Sequence, residues 1–274
     1  MSLIVKICGL STRETLDVAL DAGADMVGFV FFPPSPRHLS LEAARDLGQA
    51  VRHRALKVAL TVDADDATLG GIIEALQPDL LQLHGQESAA RTQDIKKKFA
   101  RPVMKALAIE TSADLAALPA YRDVADRILF DARAPKEATR PGGLGAAFDW
   151  HILENLDLAI PFIVSGGLNA GNIAQAIRIT GAGGVDVSSG VEREIGRKDP
   201  DMIRAFIRAA RATDLTLPLP VHGERSDRSC DPTEGERPLS QEPLSPHPPS
   251  SQGGLRRTSE RGEGAEPARR REKS

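Results

Sequence analysis

The chain has 274 residues, a formal net charge of −3, 41% hydrophobic residues and 27% charged residues. That is ordinary soluble globular composition, long enough for one large domain or two small ones. No apolar run approaches the ~20 residues that span a bilayer, and MSLIVKICG lacks the basic-then-apolar order of a secretory leader, which excludes a membrane span and points to the cytoplasm. The overall charge offers no footprint for nucleic acid, and the two cysteines, Cys8 and Cys230, lie in such different surroundings that a structural disulfide is not expected.

In chain order, LIVKIC (3–8) precedes a helical pattern, STRETLDVALDAG, in which Glu14 follows Ser11 by three residues, the spacing of a capping box. DMVGFVF (25–31) precedes a helix over 40–52 opened by Ser40, and KVALTV (57–62) precedes one over 66–76. DLLQLH (79–84) leads to a helix over 87–99, and PVMKALAI (102–109) to one near 112–118. RILFDA (127–132) leads to a helix near 149–156, PFIVSGG (161–167) to 170–180, and GVDVSSG (184–190) to 200–212. Short, nearly all-apolar, β-branched strands alternating with helices predict a parallel sheet covered by helices. Eight such units in a little over 200 residues predict a single-domain α/β fold, a (β/α)8 barrel over 1–213. A doubly wound open sheet would want a GxGxxG turn after the first strand, and CGLSTRE is not one.

After Phe206 there is no aromatic residue, and nine of the 19 prolines fall between Pro218 and Pro267. Such a segment buries too little apolar surface to offset its ordering entropy, so 214–274 reads as a disordered tail. A partner-binding tail using RRTSE or RRREK, or a run-on reading frame, would have the same composition.

Barrel active sites form at the C-terminal ends of the strands. There, Gly166 and Gly167 allow a ligand close to the backbone, Asn169 is placed to cap the next helix, and Ser188, Ser189 and Gly190 offer hydroxyls and backbone N–H groups. Loops after strands seven and eight with free N–H groups predict a phosphate site. Alternation along LIVKIC turns Leu3, Val5 and Ile7 outward and Ile4, Lys6 and Cys8 inward. In RILFDA it turns Ile128 and Phe130 outward and Asp131 inward. A thiol and a carboxylate then share one mouth. Lys6 and Asp186 both point inward on strands that become neighbours when the barrel closes, which predicts a buried ion pair, since a lone buried ammonium would cost several kcal/mol.

KICGL, GADMVGFVFFPPSPRHLS, LLQLHG, LFDAR, GGLGAAFDW, SGGLN and GVDVSSGVE, in this order from Ile4 to about Ala212, resemble the phosphoribosylanthranilate isomerase family. The resemblance implies the third step of tryptophan biosynthesis, an Amadori rearrangement of a small-molecule substrate, phosphoribosylanthranilate, by a monomer or homodimer without metal or cofactor. It implies Asp131 as the general acid that opens the ribose ring and Cys8 as the general base that removes the C2′ proton. A thiol of unperturbed pKa ~8.5 serves as base only when a local field favours its thiolate, and Asp131 must begin protonated. Arg37 resembles the family's binder of the anthranilate carboxylate, a task suited to a guanidinium fork. Gly166, Gly167, Ser188, Ser189 and Gly190 would hold the phosphate, with Gln82 and His84 lining the rim. The family often carries a lysine where this chain has Ala146, which removes a cation from the glycine-rich 142–145 segment, a stretch suited to a mobile lid. A histidine-pathway aminoaldose isomerase would use two carboxylates, a metal-dependent epimerase would need a set of rim His and Asp residues, and a phosphate sensor would have no use for Cys8, Asp131 and Arg37 together.

Overall fold

A computed structural model describes residues 2–214 except 136 and 146. The expected tail beyond 214, and Ala146, lie outside the described residues.

Eight strands form a closed parallel barrel in sequence order: β1 (Ile4–Cys8), β2 (Met26–Phe31), β3 (Leu56–Thr61), β4 (Leu80–Leu83), β5 (Val103–Ile109), β6 (Arg127–Ala132), β7 (Phe162–Val164) and β8 (Gly184–Val187). Around them run α1 (Arg13–Asp21), α2 (Leu41–Val51), α3 (Asp66–Leu76), α4 (Ala89–Phe99), α5 (Leu118–Tyr121), α6 (Ile173–Thr180) and α7 (Pro200–Asp214). Among the described residues no helix is long and apolar enough to cross a membrane.

The helices begin where side chains satisfy otherwise orphaned N–H groups. Ser40, Asp65 and Ser88 accept from the backbone N–H three residues on. At α1 the cap is Thr12, accepting from Thr15 N, so the expected Ser11–Glu14 box does not form. The start lies one residue later, and position N3 is then a threonine with no carboxylate to reach back.

Two predicted helices are reduced. Residues 112–118 form a 3₁₀ turn, Ser112–Ala117, and α5 follows with Pro119 in its first turn, where no N–H is available to continue the earlier ladder. Of 149–156 only the 3₁₀ turn Trp150–Leu153 forms, because Asp149 caps His151 N, which tightens the turn, and Asn155 takes a left-handed φ of 56°. β7 stops at Val164 rather than 167 because Gly166 and Gly167 leave the extended region, at φ 82° and 63°.

Alternation sorts the core into layers. Val5, Ile7, Phe29, Ile128, Phe130, Val164 and Val185 pack outward beneath the helices. Ile4, Met26, Val58, Leu80, Met104, Leu129 and Ile163 fill the lower barrel interior. Above them the interior turns polar: β1 pairs with β8 in a register that sets Lys6 opposite Asp186, and Lys6 Nζ lies 2.8 Å from Asp186 Oδ1 with the lysine fully buried. The expected ion pair is present.

A hairpin that the periodicity did not reveal follows β8. β9 (Glu192–Glu194) pairs antiparallel with β10 (Arg197–Lys198) around Gly196, at φ 83°. It leaves the barrel and returns two charged side chains, Glu192 and Lys198, to the rim.

Candidate active site

One cavity opens at the C-terminal ends of the strands, lined by Cys8, Arg37, His84, Asp131, Gly166, Gly167, Ser188, Ser189 and Gly190 among others. Nine of the ten residues singled out from sequence thus meet at one mouth. Gln82 is the exception. It is fully buried below the rim, because β4 turns Gln82 into the interior one layer beneath His84. It reaches the cavity only through that neighbour.

Cys8 ends β1 beside Gly28 of β2, its register partner. A Cβ on Gly28 would come within 2.9 Å of the Cys8 sulfur, so only glycine leaves room for the thiol there. Cys8 packs with Val30 and Leu60, with Phe32 and Val62 beside them, forming an apolar wall on the β2–β3 side. Burial pushes the Cys8 thiol up, above its ordinary value, and Asp186 adds to that; Lys6, within hydrogen-bonding reach, and Lys198 oppose it without prevailing. The resting form is therefore the neutral thiol, so the thiolate that a base role requires is not favoured by the net field at rest. Desolvation outweighs two neighbouring ammonium groups, one of them already paired with Asp186. For Lys6, burial works against the charge, yet Asp186 holds its pKa above the ordinary lysine value.

Asp131 faces the same mouth from the end of β6. Its Oδ1 accepts from Ala132 N at 2.9 Å, and His84 Nε2 lies 3.2 Å from its Oδ2. Gln82 Nε2 donates to His84 Nδ1 at 3.0 Å, which places the ring proton on Nε2, facing Asp131.

The β7 and β8 loops interlock. A Cβ on Gly190 would collide with the Leu168 carbonyl, so the two loops approach backbone to backbone. Asn169 does not cap α6 as expected. Its Oδ1 accepts from Gly171 N, while Asn172 accepts from Asn169 N and donates to Gly167 O, which braces the loop instead. Beneath Ser188 lies the buried ammonium of Lys198, which donates to Ser188 O at 2.8 Å, Ser188 Oγ at 3.1 Å and Glu192 Oε1 at 2.7 Å. Burial lowers the Lys198 pKa to about 8 against the pull of Glu192.

Glu192 also takes the Arg37 fork, with Nε to Oε1 and Nη2 to Oε2 both at 2.6 Å. Burial opposes the charge on Glu192, but the hydrogen bonds from Arg37, Lys198 and Gly196 N prevail and hold its pKa at about 2. Arg37 Nη2 also donates to Gly143 O at 3.2 Å. The guanidinium expected to be open to a ligand thus has one edge engaged within the protein.

A family model described as N-(5'phosphoribosyl)anthranilate (PRA) isomerase matches residues 5–209. The chain belongs to this family. An N-(5'-phosphoribosyl)anthranilate isomerase of Bradyrhizobium diazoefficiens is 76% identical over 213 residues, 78% of this chain and 96% of the relative. One of Nitrobacter hamburgensis is 70% identical over 217 residues, 79% and 96% of the two chains. Among solved structures, the phosphoribosyl anthranilate isomerase of Thermotoga maritima superposes with a TM-score of 0.70 at 34% identity, covering 77% of this chain and 99% of that one. A phosphoribosyl anthranilate isomerase in complex with reduced 1-(o-carboxyphenylamino)-1-deoxyribulose 5-phosphate gives 0.67 at 33% identity, with the same coverage. The protein is an isomerase of tryptophan biosynthesis. In the phosphoribosylanthranilate isomerase barrel seen here, sequence reasoning missed Glu192 and Lys198, whose signal was a run of alternating charges around a glycine, EREIGRK.

Proposed function

We propose that the protein converts N-(5-phosphoribosyl)anthranilate to 1-(o-carboxyphenylamino)-1-deoxyribulose 5-phosphate, the third step of tryptophan biosynthesis. The observation that carries this reading is a thiol and a carboxylate from β1 and β6 in one cavity, beside a loop pair suited to phosphate. Asp131 donates a proton to the ring oxygen as the furanose opens. The Schiff base so formed acidifies C2′, and Cys8 removes that proton. Because burial holds Cys8 as the thiol, its proton must leave before it can act, and the neighbouring Lys6 charge is what the thiolate meets. Gly166, Gly167, Ser188, Ser189 and Gly190 take the phosphate, with Lys198 supporting Ser188 from below. The anthranilate ring lies on the Val30, Phe32, Leu60 and Val62 wall, towards Arg37. On this reading 1–213 is the catalytic domain, and 214–274 is an extension that catalysis does not use.

The test is turnover of freshly generated phosphoribosylanthranilate, followed by loss of its fluorescence. Wild type should consume it, and Cys8→Ser should be slower by at least ~10², the effect typical of losing a general base. Asp131→Asn should collapse turnover likewise, with inorganic phosphate still bound by both variants. Near wild-type turnover by Cys8→Ser would return the thiol to a packing role.

A further inference from the structure

Gln82 is a polar side chain among apolar register partners. Leu60 of β3 and Met104 of β5 stand opposite it, and all three are buried. Gln82 is fully buried, and its Oε1 has no hydrogen-bond partner among the described residues. A buried acceptor left unpaired costs stability, a cost that an apolar residue of the same size would avoid here. The amide is spent instead on His84, with Nε2 at 3.0 Å from Nδ1 of the imidazole.

The backbone N–H of His84 donates to Thr61 O at 2.9 Å, which anchors the residue at the end of β4. An imidazole on that anchor can still turn about its ring bond and carry its proton on either nitrogen. A donor at Nδ1 removes both freedoms. Nδ1 is then the bare nitrogen, and the N–H sits on Nε2, 3.2 Å from Asp131 Oδ2. A charge-assisted contact of this kind is shorter, about 2.7–2.9 Å, so the pair has room to tighten when Asp131 becomes an anion. Asp131 Oδ1 is already held by Ala132 N at 2.9 Å. A Cβ on Gly142 would meet both Asp131 Oδ2 and His84 Nε2, so the loop after β6 lies over the contact and narrows the access of water to it.

We infer that Gln82 is a positioning residue for the opening of the ribose ring: it fixes His84 as the Nε2–H tautomer, so that the imidazole donates to the Asp131 carboxylate as that carboxylate forms. In this step the nitrogen lone pair of the anthranilate forms the C=N bond while the ring C1′–O bond breaks. The ring oxygen keeps the electrons of that bond and takes the Asp131 proton, which leaves Asp131 with a full negative charge. The His84 N–H meets that charge only as it develops, so the contact is stronger in the transition state than before it. This inference rests on the substrate and the roles proposed above.

Gln82→Met keeps the length of the side chain and removes the donor. Its kcat for phosphoribosylanthranilate should fall about 10-fold, the lower end of what a hydrogen bond to a charged group is worth, with KM and the affinity for inorganic phosphate at wild-type values. Its thermal midpoint should stay within about 2–4 °C of wild type, because one unpartnered acceptor, Oε1, is exchanged for another, Nδ1. The deuterium isotope effect from C2′-labelled substrate should not exceed that of wild type, since ring opening and not C2′ deprotonation is slowed. The ¹⁵N shifts of the His84 ring, assigned by their absence from His84→Asn, report the tautomer without substrate. Wild type should show a protonated Nε2 and a bare Nδ1, and Gln82→Met a mixture. A wild-type ring protonated on Nδ1 would overturn the assignment. So would a large loss of stability with weaker phosphate binding in Gln82→Met, which would make Gln82 a packing residue, or a raised isotope effect, which would tie it to the Cys8 step. A wild type that turns over phosphoribosylanthranilate, matched in kcat by Gln82→Met, sinks the role of Gln82 and leaves the function standing. A wild type that turns over none sinks both.

Discussion

Three lysines are buried among the described residues, and two of them, each against a carboxylate, lie on opposite faces of the barrel sheet. Lys6 on β1 points into the barrel, 2.8 Å from Asp186. Lys105 on β5 points outward, because Val103, Leu107 and Ile109 share its face beneath the helices while Met104 and Ala106 face in. Its ammonium lies 2.7 Å from Glu87 Oε2 and donates to the carbonyls of Leu83 and Gly85. Glu87 in turn accepts from Asp63 N and Gly85 N, so this pair fastens the turns after β3 and β4. The two contacts are alike, at 2.8 and 2.7 Å, and their neighbours are not. One clamps backbone; the other lies under a thiol at the mouth of the cavity.

The largest effects should come from deleting one partner. Lys6→Met leaves Asp186 buried and uncompensated, which costs about 3–5 kcal/mol. It also removes a cation that favours the Cys8 thiolate. A nearby opposite charge moves a titration by roughly 1–3 units, so turnover of the folded fraction should fall roughly 10- to 1,000-fold at fixed pH. Lys105→Met should cost a similar 3–5 kcal/mol and leave turnover of the folded fraction intact. Denaturant melts alongside kcat separate the two. Comparable activity loss in both variants would erase the distinction.

Replacing both members of a pair should be milder than replacing one, since no orphaned charge remains. Lys105→Met with Glu87→Leu should recover part of the single-variant loss, less whatever the Glu87 acceptors contributed to the turns at Asp63 and Gly85.

The pH dependence of Cys8 sharpens the contrast further. A thiol raised above ~8.5 exposes about tenfold more thiolate per pH unit until its pKa is reached. Alkylation of Cys8 by iodoacetamide, read on its own peptide by mass spectrometry, should climb with that slope from pH 6 to beyond 8.5. Lys6→Met should push the curve to still higher pH, and Lys105→Met should leave it unmoved. A plateau near neutrality in wild type would mean that the two ammonium groups outweigh burial after all.

The barrel was legible because strands buried on both faces read as continuous apolar runs, and a charge inside such a run has to be answered. Lys6 within LIVKIC pointed to Asp186 because barrel closure makes β1 and β8 neighbours. Lys105 within PVMKALAI carried the same signal, but its partner lies in a turn, where no strand periodicity constrains which residue faces it. Glu192 lies 155 residues from Arg37, and nothing local to either announces the pair. The helix expected near 149–156 is cut to a single turn by the Asp149 cap and the left-handed backbone angle at Asn155, which amphipathic spacing does not encode. The site residues were legible as strand ends; the state of Cys8 was not, because desolvation belongs to the folded volume and not to any motif.

The smallest effects should distinguish the second members of the two networks. Tyr121 donates its hydroxyl to Glu87 O at 3.0 Å, and Ser165 donates to Asp186 Oδ2 at a longer 3.4 Å. Tyr121→Phe removes a single neutral hydrogen bond, about 1 kcal/mol, and should lower the thermal midpoint by about 2–4 °C for a domain of this size. Ser165→Ala removes a weaker contact, so its effect on stability should be smaller. Its electrostatic effect should be the larger of the two: without that donor, more of the Asp186 charge reaches Cys8, which Asp186 already pushes up. The Cys8 alkylation curve should therefore move to higher pH by a few tenths of a unit in Ser165→Ala and not at all in Tyr121→Phe. Equal shifts in both variants, or a shift only in Tyr121→Phe, would show that the field at the thiol is set by the whole barrel and not by the Lys6–Asp186 layer beneath it.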